Sequence, residues 1–251
     1  MPKADRFARF AGLTYERFRE LAQDSSLSAS ERIGFPDAMR EGYEDAIFAN
    51  LRAIVPTLDK RGAKVLDVGI GSGGLAARIV RHCGEAGVTL YTVDSPEMLA
   101  LIDGLMVKIA GRFPDCLSQI TATNPQGFDA IIAYSVIQHV FIEANPYDFL
   151  DAALGLLRPG ASFLLGDIPN LSMLKRFLAS EAGVAYHKAY MKTDEPPRVD
   201  WNEIERGRLD DAAIIGLVSR ARAAGFNAWL LPQPDTLPFH QRREDLLVQR
   251  P

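Results

Sequence analysis

Cysteine is nearly absent from this sequence. Cys83 and Cys116 are the only two in 251 residues, and they form no paired motif. That excludes a disulfide framework and a thiolate metal site, and it fits two reduced, buried small hydrophobes. A surplus of positive charge is missing too. Lys and Arg number 28 against 32 Asp and Glu, scattered along the chain, so no basic stripe tracks a nucleic-acid backbone and no nucleic-acid partner is expected. No apolar run is long enough to span a bilayer. The opening MPKADRFARF has no apolar core of the sort a secretory leader carries, so the cytoplasm is the expected compartment. The four histidines stand far apart without acidic partners at ligand spacing, so no metal is expected. There is no internal repeat and no low-complexity tract.

What is present suffices for a large core. Apolar residues make up 47% of the chain, enough for one large domain, or one domain with an appendage. Residues 5–55 read as helical: Phe7, Phe10, Ala11, Thr14, Phe18 and Leu21 recur at helical spacing, as do Tyr43, Ala46, Ile47, Leu51 and Ile54. DSSLSAS and GFPD mark a loop between the two stripes. Such stripes either pack against the main body or form a lid over a site. The reading adopted is an N-terminal helical extension or lid over residues 1–60 and a main domain over 61–251.

From Ala63 the pattern changes to alternating strands and helices. Strands are expected at KVLDVG (64–69), VTLYTVD (88–94), CLSQITA (116–122), FDAIIAY (128–134) and ASFLLGDI (161–168). Helices are expected from Gly74 to His82, Pro96 to Ile109 and Ala144 to Leu157, with RPG at 158–160 as a helix stop. This rhythm predicts an α/β fold, a doubly wound, Rossmann-like parallel sheet covered on both faces. Residues 169–208 break the rhythm and read as an inserted lid after the fifth strand. DDAAIIGLVSRARAAG then predicts a helix. FNAWLLP and REDLLVQ follow as strands joined too closely for another crossover, so they pair antiparallel or sit apart.

The stretch VLDVGIGSGG (65–74) carries the chemistry. Gly69, Gly71, Gly73 and Gly74 allow a tight turn and close approach of a ligand to the backbone, beyond the C-terminal strand ends where doubly wound sheets bind ligands. GIGSGG also fits a dinucleotide fingerprint, but Asp67 argues against diphosphate. Two unit charges about 4 Å apart interact by roughly 4 kcal/mol at intermediate dielectric. A carboxylate at the mouth of the turn therefore repels a phosphate and holds an ammonium group, or else it braces the turn through hydrogen bonds. Asp94, at the end of the second strand in YTVDSPEML, is placed to accept from both hydroxyls of a ribose. Met98, one helical turn on, either covers an adenine face or packs in the core.

These residues, together with FDAIIAYSVIQHV and LLRPGASFLLGD, make the chain resemble the class I S-adenosylmethionine-dependent methyltransferases over roughly residues 60–168. The resemblance implies a seven-stranded sheet with its last strand antiparallel. It further implies S-adenosylmethionine as cofactor and S-adenosylhomocysteine as product, with Asp67 and the glycines facing the methionine part and Asp94 the ribose. Many members place an acidic residue after the third strand against the adenine amino group. TATNPQG stands there in this reading, so Asn124 is the expected acceptor.

The protein's task would then be to aim a nucleophile at an already activated methyl group. His139, after the fourth strand, is the first candidate for a base, or else a loop-capping residue. Asp167, ending the fifth strand, is the second. Tyr134 and Ser135 are expected to line the methionine end or the acceptor. Tyr186 and His187 lie in the insertion, either contacting an acceptor or on a solvated helix. ERIGFPDAMREG (31–42) and the C-terminal REDLLVQRP resemble methyltransferases of bacterial surface-polysaccharide assembly. That implies a sugar or sugar-linked acceptor, with Arg32 and Arg40 as anion contacts or surface ion-pair partners. The resulting expectation is O-methylation of a small molecule. N-methylation of a small amine or a phosphoramidate-type acceptor, a nicotinamide-dependent oxidoreductase and a catalytically inactive binding protein are the alternatives. The N-terminal helices are expected to cover the cofactor or make a homodimer contact.

Overall fold

The computed structural model describes residues 10, 12–203 and 205–251. Phe7 and Ala11 of the first apolar stripe lie outside the described residues. Thr14, read as part of that stripe, is instead a cap: its hydroxyl accepts from the Arg17 amide and starts α1 (Tyr15–Gln23). Leu21 of α1 is buried with Leu13 and Leu27, and Phe10 and Phe18 pack against them. Two single turns follow, α2 (Ala29–Arg32), closed by a capping box between Ser28 and Glu31, and α3 (Asp37–Arg40). α4 (Glu44–Ile54) buries Ile47 and Leu51.

Seven strands form one sheet: β1 (Lys64–Val68), β2 (Thr89–Asp94), β3 (Val107–Ala110), β4 (Phe128–Tyr134), β5 (Leu157–Pro169), β6 (Asn227–Pro232) and β7 (Arg243–Gln249). Their order is β3-β2-β1-β4-β5-β7-β6. β7 runs antiparallel to both β5 and β6, while the other pairings are parallel. The Rossmann-like sheet with an antiparallel last strand is therefore present as expected.

Alternation along the central strands divides the core between two faces. Leu66, Val68, Ile131, Ala133, Phe163 and Leu165 join one cluster, against α9 (Pro146–Gly155) and α12 (Asp211–Ala223). Val65, Ala130, Ile132 and Leu164 join the other, against α4 and α5 (Gly74–Ala86). Strands buried on both faces read as continuous apolar runs, which is why β1, β4 and β5 stand out in the sequence. From β1 the chain steps outward to β2 and β3, then returns to the other side of β1 as β4. That reversal opens a crevice above the C-terminal ends of β1 and β4.

Two expected elements are corrected. The helix beginning at Pro96 is a single turn, α6 (Pro96–Leu99), and the third strand is Val107–Ala110, not 116–122. The helix ends at Leu99, and Gly104, at φ +123°, keeps the chain from resuming a helix before β3. The Lys108 ammonium then caps α6 by donating to the Leu99 carbonyl at 2.7 Å. CLSQITA instead forms α7 (Leu117–Thr123), with Ile120 buried. Thr121 and Thr123 return their hydroxyls to carbonyls four residues back, which satisfies them in a helix despite their β preference.

Between β4 and α9 lies α8 (Ile137–Glu143). The insertion after β5 contains α10 (Leu171–Leu178) and α11 (Glu181–Met191). No helix among the described residues is long and apolar enough to cross a membrane.

Candidate active site

A cavity opens at the crevice between β1 and β4. Its floor is the glycine turn, Gly69 to Gly73, with Asp67 below it. Asp94 and Met98 form one side, the loop Gly111–Phe113 after β3 another, and Tyr134, Ser135, Val136 and His139 a third. The N-terminal segment closes it with Tyr15, Phe18, Ile33, Phe35 and Arg40.

The turn is held in two ways. Gly69 and Gly71 adopt φ +76° and +67°, a region L side chains enter at a cost. The Gly71 amide donates to Asp94 Oδ2 at 2.9 Å, and the Ser95 amide donates to Asp94 Oδ1 at 2.7 Å. Each carboxylate oxygen thus keeps a lone pair for a further donor. A Cβ on Gly71 or Gly73 would lie 3.0 or 2.9 Å from Ile33 Cγ2 or Cδ1, so Ile33 rests directly on the turn.

Electrostatically the floor is unbalanced. Asp67 is 3% exposed. Burial, and then the charge of Asp94, push its carboxyl up to about 8. Burial likewise raises Asp94 to about 6, although the Gly71 and Ser95 amides pull the other way. Among the described residues, no three side chains of His, Cys, Asp or Glu come together as a metal ion would need. Two carboxyls, Asp67 buried and Asp94 partly buried, thus share the floor of one open cavity.

At the other end, His139 sits on α8 with Nδ1 3.1 Å from the Leu13 carbonyl. That contact places the proton on Nδ1 and leaves Nε2 as the acceptor, 3.3 Å from the Gln138 amide nitrogen. Phe18 meets the ring edge-on at 4.7 Å. Burial lowers the imidazole to about 4, so it is neutral.

Asp167 lies behind this wall. Its carboxylate accepts from Ser135 Oγ, from Gln233 Nε2 at 3.3 Å and from Arg243 Nη1 at 2.6 Å, with Arg40 Nη1 at 3.8 Å. Ser135 and Asp167 both adopt left-handed backbone, φ +61° and +58°, at the tips of β4 and β5. Strain of this sort persists only where the surroundings over-determine it.

Of the residues expected from the sequence, the cavity gathers Asp67, Gly69, Gly71, Gly73, Asp94, Met98, Tyr134, His139 and Arg40. Asn124 is not among them. It is buried after α7, where its side chain accepts from Lys64 Nζ at 2.9 Å and donates to the Gly127 carbonyl, at the N-terminal ends of β1 and β4, opposite the cavity. Its displacement follows from the position of the third strand, since the loop following β3 is Gly111–Phe113. Arg32 donates to the Asp24 carbonyl away from the cavity. Tyr186 is 47% exposed and stacks on Tyr190, and neither it nor His187 lines the cavity. Sequence reasoning does not single out Tyr15, Ile33, Phe35 and Arg112 as site residues. Tyr15 and Phe35 stand inside apolar and Arg-rich stretches that are conspicuous in the sequence, but no spacing marks which side chains turn toward the glycines.

A family model described as a methyltransferase domain matches residues 39–239. The chain belongs to this family. The match agrees with the glycine turn and Asp94, and it sets aside the nicotinamide alternative. Among curated proteins, the methyltransferase is similar to the ubiquinone biosynthesis O-methyltransferase of Xylella fastidiosa. The two are 30% identical over 129 residues, which is 50% of this chain and 49% of the relative. A segment of chondramide synthase from Chondromyces crocatus is 29% identical over 46% of this chain and only 3% of that protein. The chain thus spans about half the length of the first of these relatives. Among solved structures, the plantazolicin methyltransferase BpumL in complex with S-adenosylhomocysteine superposes with a TM-score of 0.57 at 12% identity, covering 99% of this chain and 97% of that one. The N-methyltransferase NodS of Bradyrhizobium japonicum gives 0.53 at 11% identity, covering 94% and 98%. At such identities the likeness is one of fold.

Proposed function

We propose that this methyltransferase binds S-adenosylmethionine on the glycine turn and moves its methyl group to a hydroxyl of a small molecule. The observation that carries the cofactor part is the pair of carboxyls beside one turn, Asp67 buried and raised to about 8 and Asp94 partly buried and raised to about 6. A ligand with a cationic amino-acid tail and a neutral ribose satisfies both. Asp67 meets the positive end, and Asp94 accepts from the hydroxyls with the lone pairs its two amide donors leave free. Met98 and the Gly111–Phe113 loop flank the position beyond Asp94, and we assign them to the base. A dinucleotide would instead lay phosphates against Asp67.

When bound, the cofactor supplies a methyl group already activated by a cationic sulfur. The residues of the chain position and exclude. Phe18, Phe35 and Tyr134 surround the open end with aromatic surface and keep water from it. His139 offers Nε2 to the incoming hydroxyl, which displaces the 3.3 Å contact from the Gln138 amide nitrogen. An imidazole of such low proton affinity orients the oxygen and accepts its proton only as the new O–C bond forms. Asp167, with its oxygens engaged, serves as an anchor for Ser135 and the arginines and not as the free base.

The described N-terminal residues, up to residue 60, act as a lid in this reading. Ile33 on the glycines, Phe35 and Arg40 in the cavity wall, and the Tyr15 amide donating to Glu143 at 2.8 Å all turn inward, which favours a cover over a dimer contact. The sugar acceptor suggested by the sequence gains no support from the largely apolar wall. An amine acceptor needs no proton acceptor once neutral, so it would leave His139 without a task.

Mass spectrometry of products from a panel of hydroxyl and amino acceptors tests the assignment. Methyl on oxygen, lost in His139→Ala, supports it. Methyl on nitrogen, undiminished by that substitution, overturns it.

A further inference from the structure

Arg40 has no role in holding the cofactor as described, yet its side chain is only 5% exposed. It lies on α3, at the acceptor end of the cavity, with its guanidinium 4.9 Å from the Phe35 ring and 5.5 Å from the Tyr134 ring. Its Nε is buried and has no hydrogen-bond partner. Its nearest carboxylate oxygen, Asp167 Oδ2 at 3.8 Å, is too far for a hydrogen bond and is already taken by Arg243 at 2.6 Å.

The surrounding charges do not balance. Arg40, Arg242 and Arg243 converge where Asp167 and Asp245 are the carboxyls. Burial raises Asp245 to about 6, with one oxygen receiving the Asp167 amide and Gln233 and the side-chain amide of Asn50 beside it. Arg242 and Arg243 stack on Phe239, and neither lines the cavity, whereas Arg40 does. A buried guanidinium with an unmet donor is costly unless a bound anion completes it. The fork geometry suits a planar carboxylate or a phosphate, and the aromatic walls suit a flat body behind it.

We infer that the acceptor is a flat small molecule bearing an anionic group, carboxylate or phosphate, which Arg40 binds while the acceptor's hydroxyl lies toward His139. This rests on the proposed reading of the cavity as a methyltransferase active site. Arg40 is then a specificity residue: it selects acid over ester or amide forms of the same molecule.

The test uses the full chain saturated with S-adenosylhomocysteine and a set of hydroxyaryl carboxylates and aryl phosphates, each paired with its neutral methyl ester. Binding is read by calorimetry and ligand-observed NMR in wild type, Arg40→Met and Arg40→Lys, after circular dichroism confirms that the variants fold. At least one acid should bind wild type about tenfold or more tightly than its ester, a margin of about 1.4 kcal/mol. Arg40→Met should abolish that preference, and Arg40→Lys should restore part of it. The inference is overturned if no acid in the set prefers wild type over Arg40→Met. It is also overturned if Arg40→Met weakens S-adenosylhomocysteine but not 5′-methylthioadenosine, because the anion met by Arg40 would then be the cofactor's own carboxylate. If wild type fails to bind S-adenosylhomocysteine at all, it is the methyltransferase reading of the cavity that falls.

Discussion

The Gly71 amide donates to the Asp94 carboxylate at 2.9 Å, so the turn after β1 and the tip of β2 are one unit. Removing Asp94 costs the clamp on the turn and, in the proposed function, the acceptor for the ribose. Hydrogen bonds to a charged group contribute about 1.5–3 kcal/mol. Asp94→Ala should therefore weaken S-adenosylhomocysteine by about 10–100-fold in a calorimetric titration, while circular dichroism shows the fold intact.

The two raised carboxyls predict opposite pH trends for stability and for binding. With folded values of about 8 for Asp67 and about 6 for Asp94, both above their ordinary unfolded range, the cofactor-free fold holds protons that the unfolded chain has released. The carboxyls' contribution to stability should fall as pH rises from about 4 to 8 and level off above. Binding of the cationic ligand favours the ionised carboxyls, so affinity should rise across the same interval. Denaturant melts and calorimetry at about pH 6 and about pH 8.5 check both, and Asp67→Asn should flatten the stability slope.

Gly73 adopts φ −84°, so an alanine there carries no backbone strain, and its Cβ would meet the end of Ile33 at 2.9 Å. Gly73→Ala should displace Ile33 and loosen the N-terminal cover, seen as faster proteolysis within residues 1–60. Adding Ile33→Ala should remove the clash. Neighbouring substitutions that share a contact are non-additive, so the pair should cost less stability than the two single changes summed.

His139 is held at about 4 by burial. Its depressed value adds stability that is present above the ordinary histidine range and lost as pH falls from about 6.5 toward 4. In turnover, an imidazole already neutral should give no inflection between about pH 5 and 8. His139→Ala should lower kcat by about 100-fold and leave S-adenosylhomocysteine affinity nearly unchanged, read from steady-state kinetics beside calorimetry.

How far the sequence reveals this depends on how local the determinant is. The β1 run ending in Asp67, the glycines and Asp94 are legible because each follows from strand burial or turn chemistry within a short stretch. The third strand is not. Val107–Ala110 has only four residues, and the nearby CLSQITA has the stronger β character. The same competition explains why Asn124 lies away from the cavity. Arg40 and Arg32 stand together in one motif, but only packing shows that Arg40 turns inward and Arg32 outward. The charge network around Asp167, joining β4, β5, β7 and α3, is wholly tertiary; Gln233 carries no signal in the sequence, and Asp245 stands in REDLLVQRP with nothing to mark it as buried beside Asp167.

The most direct test of the central claim is to titrate S-adenosylhomocysteine and NADH separately into the protein at about pH 8, where Asp94 is ionised and Asp67 titrates. S-adenosylhomocysteine should bind one site per chain, and saturation at about 100 times its Kd should stabilise the fold by about 2.7 kcal/mol, with no heat from NADH. Saturable binding of NADH, with none of S-adenosylhomocysteine at millimolar concentration, would contradict the account.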